Sequence, residues 1–165
     1  MSDLNTDYII LAGGCFWGME QLFQKFEGVI DTDVGYTGGK LVNPTYNDVK
    51  TGTTNHAEAL KITFDKDKTD LGKILHFFFK IHDPTTVNRQ GNDIGTQYRS
   101  AIFLRDQEQR EIAVKTIAEV EKLERFNGSV VTELEEEREF YLAEDFHQDY
   151  LLNNPNGYTC HFIRK

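Results

Sequence analysis

Cys15 stands in the run Gly13-Gly14-Cys15-Phe16-Trp17-Gly18. An apolar segment at residues 8–12 precedes it, short enough for a buried strand. Met19, Leu22, Phe23 and Phe26 follow at helical spacing, and Gly28 is a natural stop. The cysteine is therefore expected at a glycine-rich strand-to-helix turn, at or next to a helix N-terminus. Unpaired N–H groups and the helix dipole stabilise negative charge there and favour the thiolate, the nucleophilic form of sulfur. Most lone cysteines are inert core residues, but a helix start needs neither Phe16 nor Trp17, the chain's only tryptophan. Two large rings beside a reactive sulfur make an apolar wall for a small substrate group.

A second group with chemical capacity follows from strand register. Ala57–Asp65 alternates, with Leu60, Ile62 and Phe64 on one face and Ala57, Ala59, Lys61 and Thr63 on the other. A slip of one residue would bury the lysine, so register is well specified. Glu58 lies in phase with the apolar face. A strand-end carboxylate reaching solvent fits the same pattern, but a buried one has a raised pKa and serves as an acid near neutral pH. Cys160, the other cysteine, lies near the opposite end of the chain. In a reducing cytoplasm such a pair reads as catalytic rather than as a structural staple, and one bridge is too few for a secreted disulfide scaffold. His56 and Glu58 have the histidine–glutamate spacing of zinc deaminases, but the Pro-Cys-x-x-Cys partner is missing. His76, His82, His147 and His161 show no ligand spacing either, so no metal and no cofactor are expected.

The elements that must position these residues are legible in order. Residues 8–12 read as a strand, 15–27 as a helix and 29–36 as a half-buried strand. In the last of these Ile30, Thr32, Val34 and Tyr36 share one face. A loop carries Pro44 and Tyr46, and the strand Ala57–Asp65 follows. Leu71, Ile74, Leu75 and Phe78 mark a second helix, apolar nearly all round and so well buried. It ends before the Asp83-Pro84 turn. Residues 83–97 form a polar loop of a length that is often functional. Tyr98, Ser100, Ile102 and Leu104 read as one face of a fourth strand. Asp106 caps a helix reaching about Phe126, with Gln109 placed as in a capping box. Residues 129–134 form a fifth strand, 143–152 a short helix, and an irregular tail closes the chain. The glutamate-rich stretch 133–139 reads as a solvated face. The first six elements match the split βαβ, ferredoxin-like order. The expected architecture is one α+β domain over residues 1–165, with helices packed on a mostly antiparallel sheet. A net charge of −9 disfavours nucleic acid and an anionic membrane surface. No targeting segment or membrane span is visible, so a cytoplasmic monomer is expected.

The hexapeptide around Cys15 resembles the signature of A-type peptide methionine sulfoxide reductases, which reduce the S epimer of methionine sulfoxide. Asn55-His56-Ala57-Glu58 resembles the family's histidine-alanine-glutamate segment, which implies Glu58 as proton donor. Tyr46 and Tyr98 fall where the family has tyrosines that bind the sulfoxide oxygen; without the motifs they would read as ordinary surface or core residues. The run from Gly91 to Ser100 is similar to the family's asparagine-aspartate-x-glycine-x-glutamine-tyrosine-arginine-serine segment, and Asp93 in it to a substrate-positioning aspartate. Residues 143–148 and the tail from Asn154 to Cys160 also resemble family segments, the latter presenting a recycling cysteine. The likeness runs from about residue 8 to 163. Phe146 departs from a common tyrosine, and no cysteine follows Cys160, which puts a three-cysteine relay out of reach.

Sulfoxide reduction needs a soft nucleophile at sulfur, an acid for the departing oxygen, donors that polarise the S–O bond and an apolar pocket for the methyl group. The resemblance assigns these to Cys15, to Glu58, to Tyr46 and Tyr98, and to Phe16 with Trp17. Cys160 is then expected to convert a Cys15 sulfenic acid into a disulfide that thioredoxin reduces. Two other classes share parts of this pattern. A cysteine hydrolase using His147 or His161 gives Cys160 no role and predicts ester or amide cleavage without a dithiol. A non-catalytic redox switch predicts a disulfide but no consumption of sulfoxide.

Overall fold

The computed structural model describes residues 5–126, 128–159 and 161–164. Strand β1 (Thr6–Gly13) feeds helix α1 (Phe16–Gln24), and β2 (Val29–Thr37) returns. A one-turn helix, α2 (Tyr46–Val49), precedes β3 (Ala57–Asp65) and α3 (Leu71–Ile81). Two short strands, β4 (Arg89–Gln90) and β5 (Asp93–Ile94), lead through a 3-10 turn at Thr96–Tyr98 to β6 (Ser100–Leu104). Then come α4 (Gln107–Lys122), β7 (Glu133–Glu136), β8 (Tyr141–Leu142), a 3-10 turn at Asp145–His147 and α5 (Tyr150–Asn153). The main sheet has the order β7-β6-β1-β3-β2-β8. Every pairing in it is antiparallel except β6 with β7. The fold is thus mixed α/β on a mostly antiparallel sheet.

The β3 alternation sorts as its sequence demands. Leu60, Ile62 and Phe64 join Leu11, Val34 and Ile102 in the main core, covered by Phe16, Met19 and Phe23 of α1 and Ile74, Phe78 and Phe79 of α3. Ala57 and Ala59 pack on the opposite face with Ile10, Ala12, Ala101 and Phe103. Lys61, on that second face, keeps its ammonium over the Tyr8 ring at 4.6 Å, where the ring quadrupole attracts it. α3 is capped by Asp70, whose side chain accepts the Lys73 N–H, and it is as buried as its composition requires.

Several expectations change. Helix α1 stops at Gln24, because residues 25–29 wind into tighter turns around Gly28 at φ +96°. Ile30 is exposed, since a register shift between Val29 and Asp31 turns it out of the ladder; such bulges are invisible to strict alternation. The loop at 37–56 contains α2, held by a reciprocal capping box between Thr45 and Asp48. The stretch 83–97 contains the β4–β5 hairpin. Tyr98 lies in a 3-10 turn rather than on strand β6. At α4, Asp106 accepts the Gln109 N–H, but the Gln109 side chain accepts from Arg105 instead of closing the box on the cap residue. The fifth strand starts four residues later than expected, at Glu133, and lies parallel to β6. Its Glu133 and Glu135 face the buried Arg99 at 3.7 and 3.5 Å, so part of the acidic stretch neutralises an internal cation. The helix expected at 143–152 is broken, because Asp149 adopts a left-handed conformation (φ +55°) and gives its N–H to Glu20.

Candidate active site

The site begins where β1 hands over to α1. Gly14 takes φ +98°, a conformation that costs an L residue strain, and Cys15 becomes the N-cap of α1. Its side chain makes no capping bond, and Cys15 is 7% exposed. The sulfur therefore sits at the positive end of the helix dipole, where a thiolate is favoured.

One residue on, the Phe16 N–H donates to Glu58 Oε1 at 3.2 Å. That amide is among the first of α1 and has no partner within the helix, so the β3 carboxyl is fastened directly beside Cys15. Glu58 is 2% exposed. Burial pushes its pKa up to about 8, against the Phe16 hydrogen bond, with help from the negative charge of Asp93. A neutral carboxyl with one oxygen accepting from Phe16 keeps the other to carry a proton, the state a general acid needs.

The other predicted residues converge on the same place. Cys15, Phe16, Trp17, Tyr46, Glu58, Asp93 and Tyr98, together with Tyr158, line one cavity of about 110 Å³. This volume suits a methylsulfinyl group rather than a drug-sized ligand. Tyr46 arrives on α2 and Tyr98 at the end of its 3-10 turn. Burial first, and the neighbouring Glu58 second, hold both phenols above their usual range, so both remain O–H donors. Asp93 Oδ2 accepts the Tyr158 O–H at 3.3 Å across the cavity mouth. Cys160 lies outside the described residues. The residues flanking it dock on the Cys15 turn: His161 Nε2 lies 2.7 Å from the Gly13 carbonyl, and a Cβ on Gly18 would overlap both Thr159 and His161. Among the described residues no three His, Cys, Asp or Glu side chains gather where they could hold a metal ion.

Residues 143–148, to which the reductase resemblance assigns no role, support the site from behind. Glu144 bridges Tyr36 O–H and the Tyr46 N–H, both at 2.9 Å. Burial works to raise its pKa, but these donors hold it below the ordinary range. Gln148 clamps the β2 edge at both polar groups of Val34. His147 Nδ1 accepts the Trp17 indole N–H at 3.0 Å, and Tyr150 stacks on that indole at 3.8 Å between centroids. In the sequence their signals are the resemblance of residues 143–148 to a family segment and the density of polar and aromatic residues there.

A mixed α/β fold that caps a helix with a cysteine, and sets an acid and two phenols around it in a small cleft, has the parts to combine a sulfur nucleophile with proton delivery. Comparison with known proteins narrows this further. The family model for peptide methionine sulfoxide reductase matches residues 7–165. A relative named peptide methionine sulfoxide reductase MsrA from Mycolicibacterium paratuberculosis is 56% identical over 160 residues, covering 97% of this chain and 91% of the relative. The crystal structure of Mxr1 from Saccharomyces cerevisiae in reduced form superposes with a TM-score of 0.90 at 36% identity, covering 97% of this chain and 93% of the other. The crystal structure of Mxr1 in complex with Trx2 matches with a TM-score of 0.65 at 25% identity, covering 97% and 91%. The chain belongs to the peptide methionine sulfoxide reductase family, whose members are oxidoreductases.

Proposed function

We propose that this protein reduces the S epimer of methionine sulfoxide, free or within proteins, and so repairs oxidised proteins. The observation that carries the reading is the buried Glu58 hydrogen-bonded to the first helical amide beside Cys15. The methyl group packs between Phe16 and Trp17, while Tyr46 and Tyr98 donate to the sulfoxide oxygen and Asp93 helps position the substrate. The Cys15 thiolate attacks sulfur as Glu58 protonates the oxygen. The attack forms a bond between the two sulfurs; the protonated oxygen then passes from the substrate sulfur to the Cys15 sulfur as the S–O and S–S bonds to the substrate break, releasing methionine and leaving Cys15 as a sulfenic acid. Two electrons thereby pass from the cysteine sulfur to the substrate sulfur. The Cys160 thiol then displaces water from the sulfenic acid to give a Cys15–Cys160 disulfide. Thioredoxin reduces it by dithiol exchange, a reading supported by the solved complex of a relative with Trx2.

The strand order β6-β1-β3-β2, with α1 and α3 following β1 and β3, supports a ferredoxin-like split βαβ core. The family match over residues 7–165 supports one reductase domain spanning residues 1–165. We place the protein in the cytoplasm as a monomer; among the described residues no helix is long and apolar enough to cross a membrane. The test is incubation with each epimer and dithiothreitol, following methionine release. Release from the S epimer is expected; release from neither epimer, or from the R epimer alone, overturns the reading.

A further inference from the structure

Tyr46 and Tyr98 reach the cavity from two segments with little regular structure of their own. α2 is a single turn, too short to be stable by itself, and Tyr98 ends a three-residue 3-10 turn. Each segment is fastened to the body of the protein separately. Val49 anchors α2 in the core, and Glu144 accepts the Tyr46 N–H. Arg99 gives a guanidinium N–H to the Thr96 carbonyl at 2.9 Å and faces Glu133 and Glu135 of β7. What joins the two segments to each other is Gln97. Its side chain is buried, and its Nε2 donates to the Lys50 carbonyl at 3.3 Å. Lys50 in turn closes α2 by giving its N–H to the Tyr46 carbonyl at 2.9 Å. Two hydrogen bonds in series therefore run from the residue before Tyr98 to Tyr46 itself. Among the described residues the other link between the segments is from the Thr96 hydroxyl to the Gly52 carbonyl, at 3.5 Å, beyond the usual hydroxyl range. Gly95, at φ +143°, leaves the room that the Gln97 amide occupies, since a Cβ there would overlap Oε1. That Oε1 is buried without a hydrogen-bond partner, which is a cost to folding. The amide gains the fold little as a stabiliser; what it does for the molecule is the link at Nε2.

We propose that Gln97 is a positioning residue, which yokes the Tyr98 turn to α2 through its amide and so sets the spacing of the two phenol hydroxyls that share the substrate oxygen. The proposal rests on the reductase reading for that shared oxygen. Two donors polarise one S–O bond together only when both hydroxyls lie at hydrogen-bond distance from the oxygen as charge grows on it. Segments free to shift against each other would let the substrate meet one hydroxyl at the expense of the other.

The test is a double-mutant cycle on the full chain. Gln97→Met fills the same space without an amide; Gln97→Asn keeps the amide but holds it one methylene short of Lys50. Each is made alone and with Tyr46→Phe or Tyr98→Phe, and the first turnover of the S epimer is followed across substrate concentration. Either Gln97 variant should lower the maximal first-turnover rate by about tenfold or more, the scale of a modest misplacement at a reacting centre, with KM changed far less. With one phenol hydroxyl already deleted no pair is left to align, and the substrate can follow the remaining donor. The Gln97 substitution should then cost less than about threefold. A residue that only supports the fold would slow the tyrosine-intact chain and both phenylalanine backgrounds by the same factor, and that additive result overturns the proposal. So does a Gln97 variant at wild-type speed, or a loss confined to KM. Should the Met variant fail to fold, the Asn variant decides by the same criteria. If wild type releases no methionine, the reductase reading fails and takes the proposal with it; methionine release with an additive cycle removes the proposal alone.

Discussion

At the scale of single residues the site is governed by Glu58. Its carboxyl is buried and its pKa is pushed above the ordinary 4.5 to about 8, so the acid form persists through neutral pH. The proton available to the departing oxygen is present below that value and lost as pH rises through it. The first-turnover rate is therefore expected to fall above about pH 8. Glu58→Gln retains the shape and the Phe16 contact but has no acidic proton; the first turnover should slow by about 10²–10⁴-fold and lose this alkaline limb. Single-turnover rates across pH check both, and a variant near wild-type speed removes Glu58 from the chemistry. The placement of Glu58 was legible because alternation in β3 fixes its face. The placements of Tyr46, Asp93 and Tyr98 were not legible from pattern, since α2, β5 and the 3-10 turn are too short for periodicity; only the family motifs pointed to them. The contacts of Glu144 and His147 depend on β2 and α1 meeting a segment more than a hundred residues away, which no local signal encodes.

At the scale of elements, the docking of the tail onto α1 turns on Gly18. Thr159 and His161 occupy the space a Cβ there would need. His161 is held by the Gly13 carbonyl and by the Thr159 hydroxyl, which accepts its N–H. Gly18→Ala adds about 1 kcal/mol of helix propensity to α1 while displacing the tail. The expected outcome is a first turnover within about threefold of wild type and a recycling rate with thioredoxin reduced by about tenfold or more. Stopped-flow and steady-state assays separate the two phases; unchanged recycling means the tail's seat on α1 is not what brings the recycling cysteine into use. Long periodic elements such as β3, α3 and most of α4 were readable because burial enforces their patterns. Others were set by single backbone conformations or distant pairings. Asp149 in the left-handed region splits the last helix, and β6 recruits β7 through a parallel pairing that begins only at Glu133.

At the scale of the whole molecule, α1 joins distant parts through Glu20 as well as through Cys15. Glu20 is 1% exposed and accepts from the Thr32 hydroxyl and the Asp149 N–H. Burial outweighs these bonds and raises its pKa to about 7. Because the folded value exceeds the unfolded 4.5, the stabilisation is full below pH 4.5 and is lost as pH rises through about 7. Glu20→Gln should therefore gain stability relative to wild type between pH 5 and 8, by up to about 3 kcal/mol. Urea midpoints at the two pH values check this, and a difference that stays flat with pH refutes it. In the proposed mechanism the two ends of the chain divide the work: Cys15 carries out reduction, and Cys160 only restores it. This division is tested most directly by counting methionine released per enzyme in Cys160→Ser without reductant, with the mass of Cys15 measured alongside. The thiolate, acid and pocket are all retained in this variant. One equivalent of methionine should therefore form at near the wild-type rate, leaving Cys15 as a sulfenic acid, while thioredoxin-driven turnover collapses. A variant that sustains normal thioredoxin-driven turnover, or one that releases no first equivalent, contradicts that division of labour.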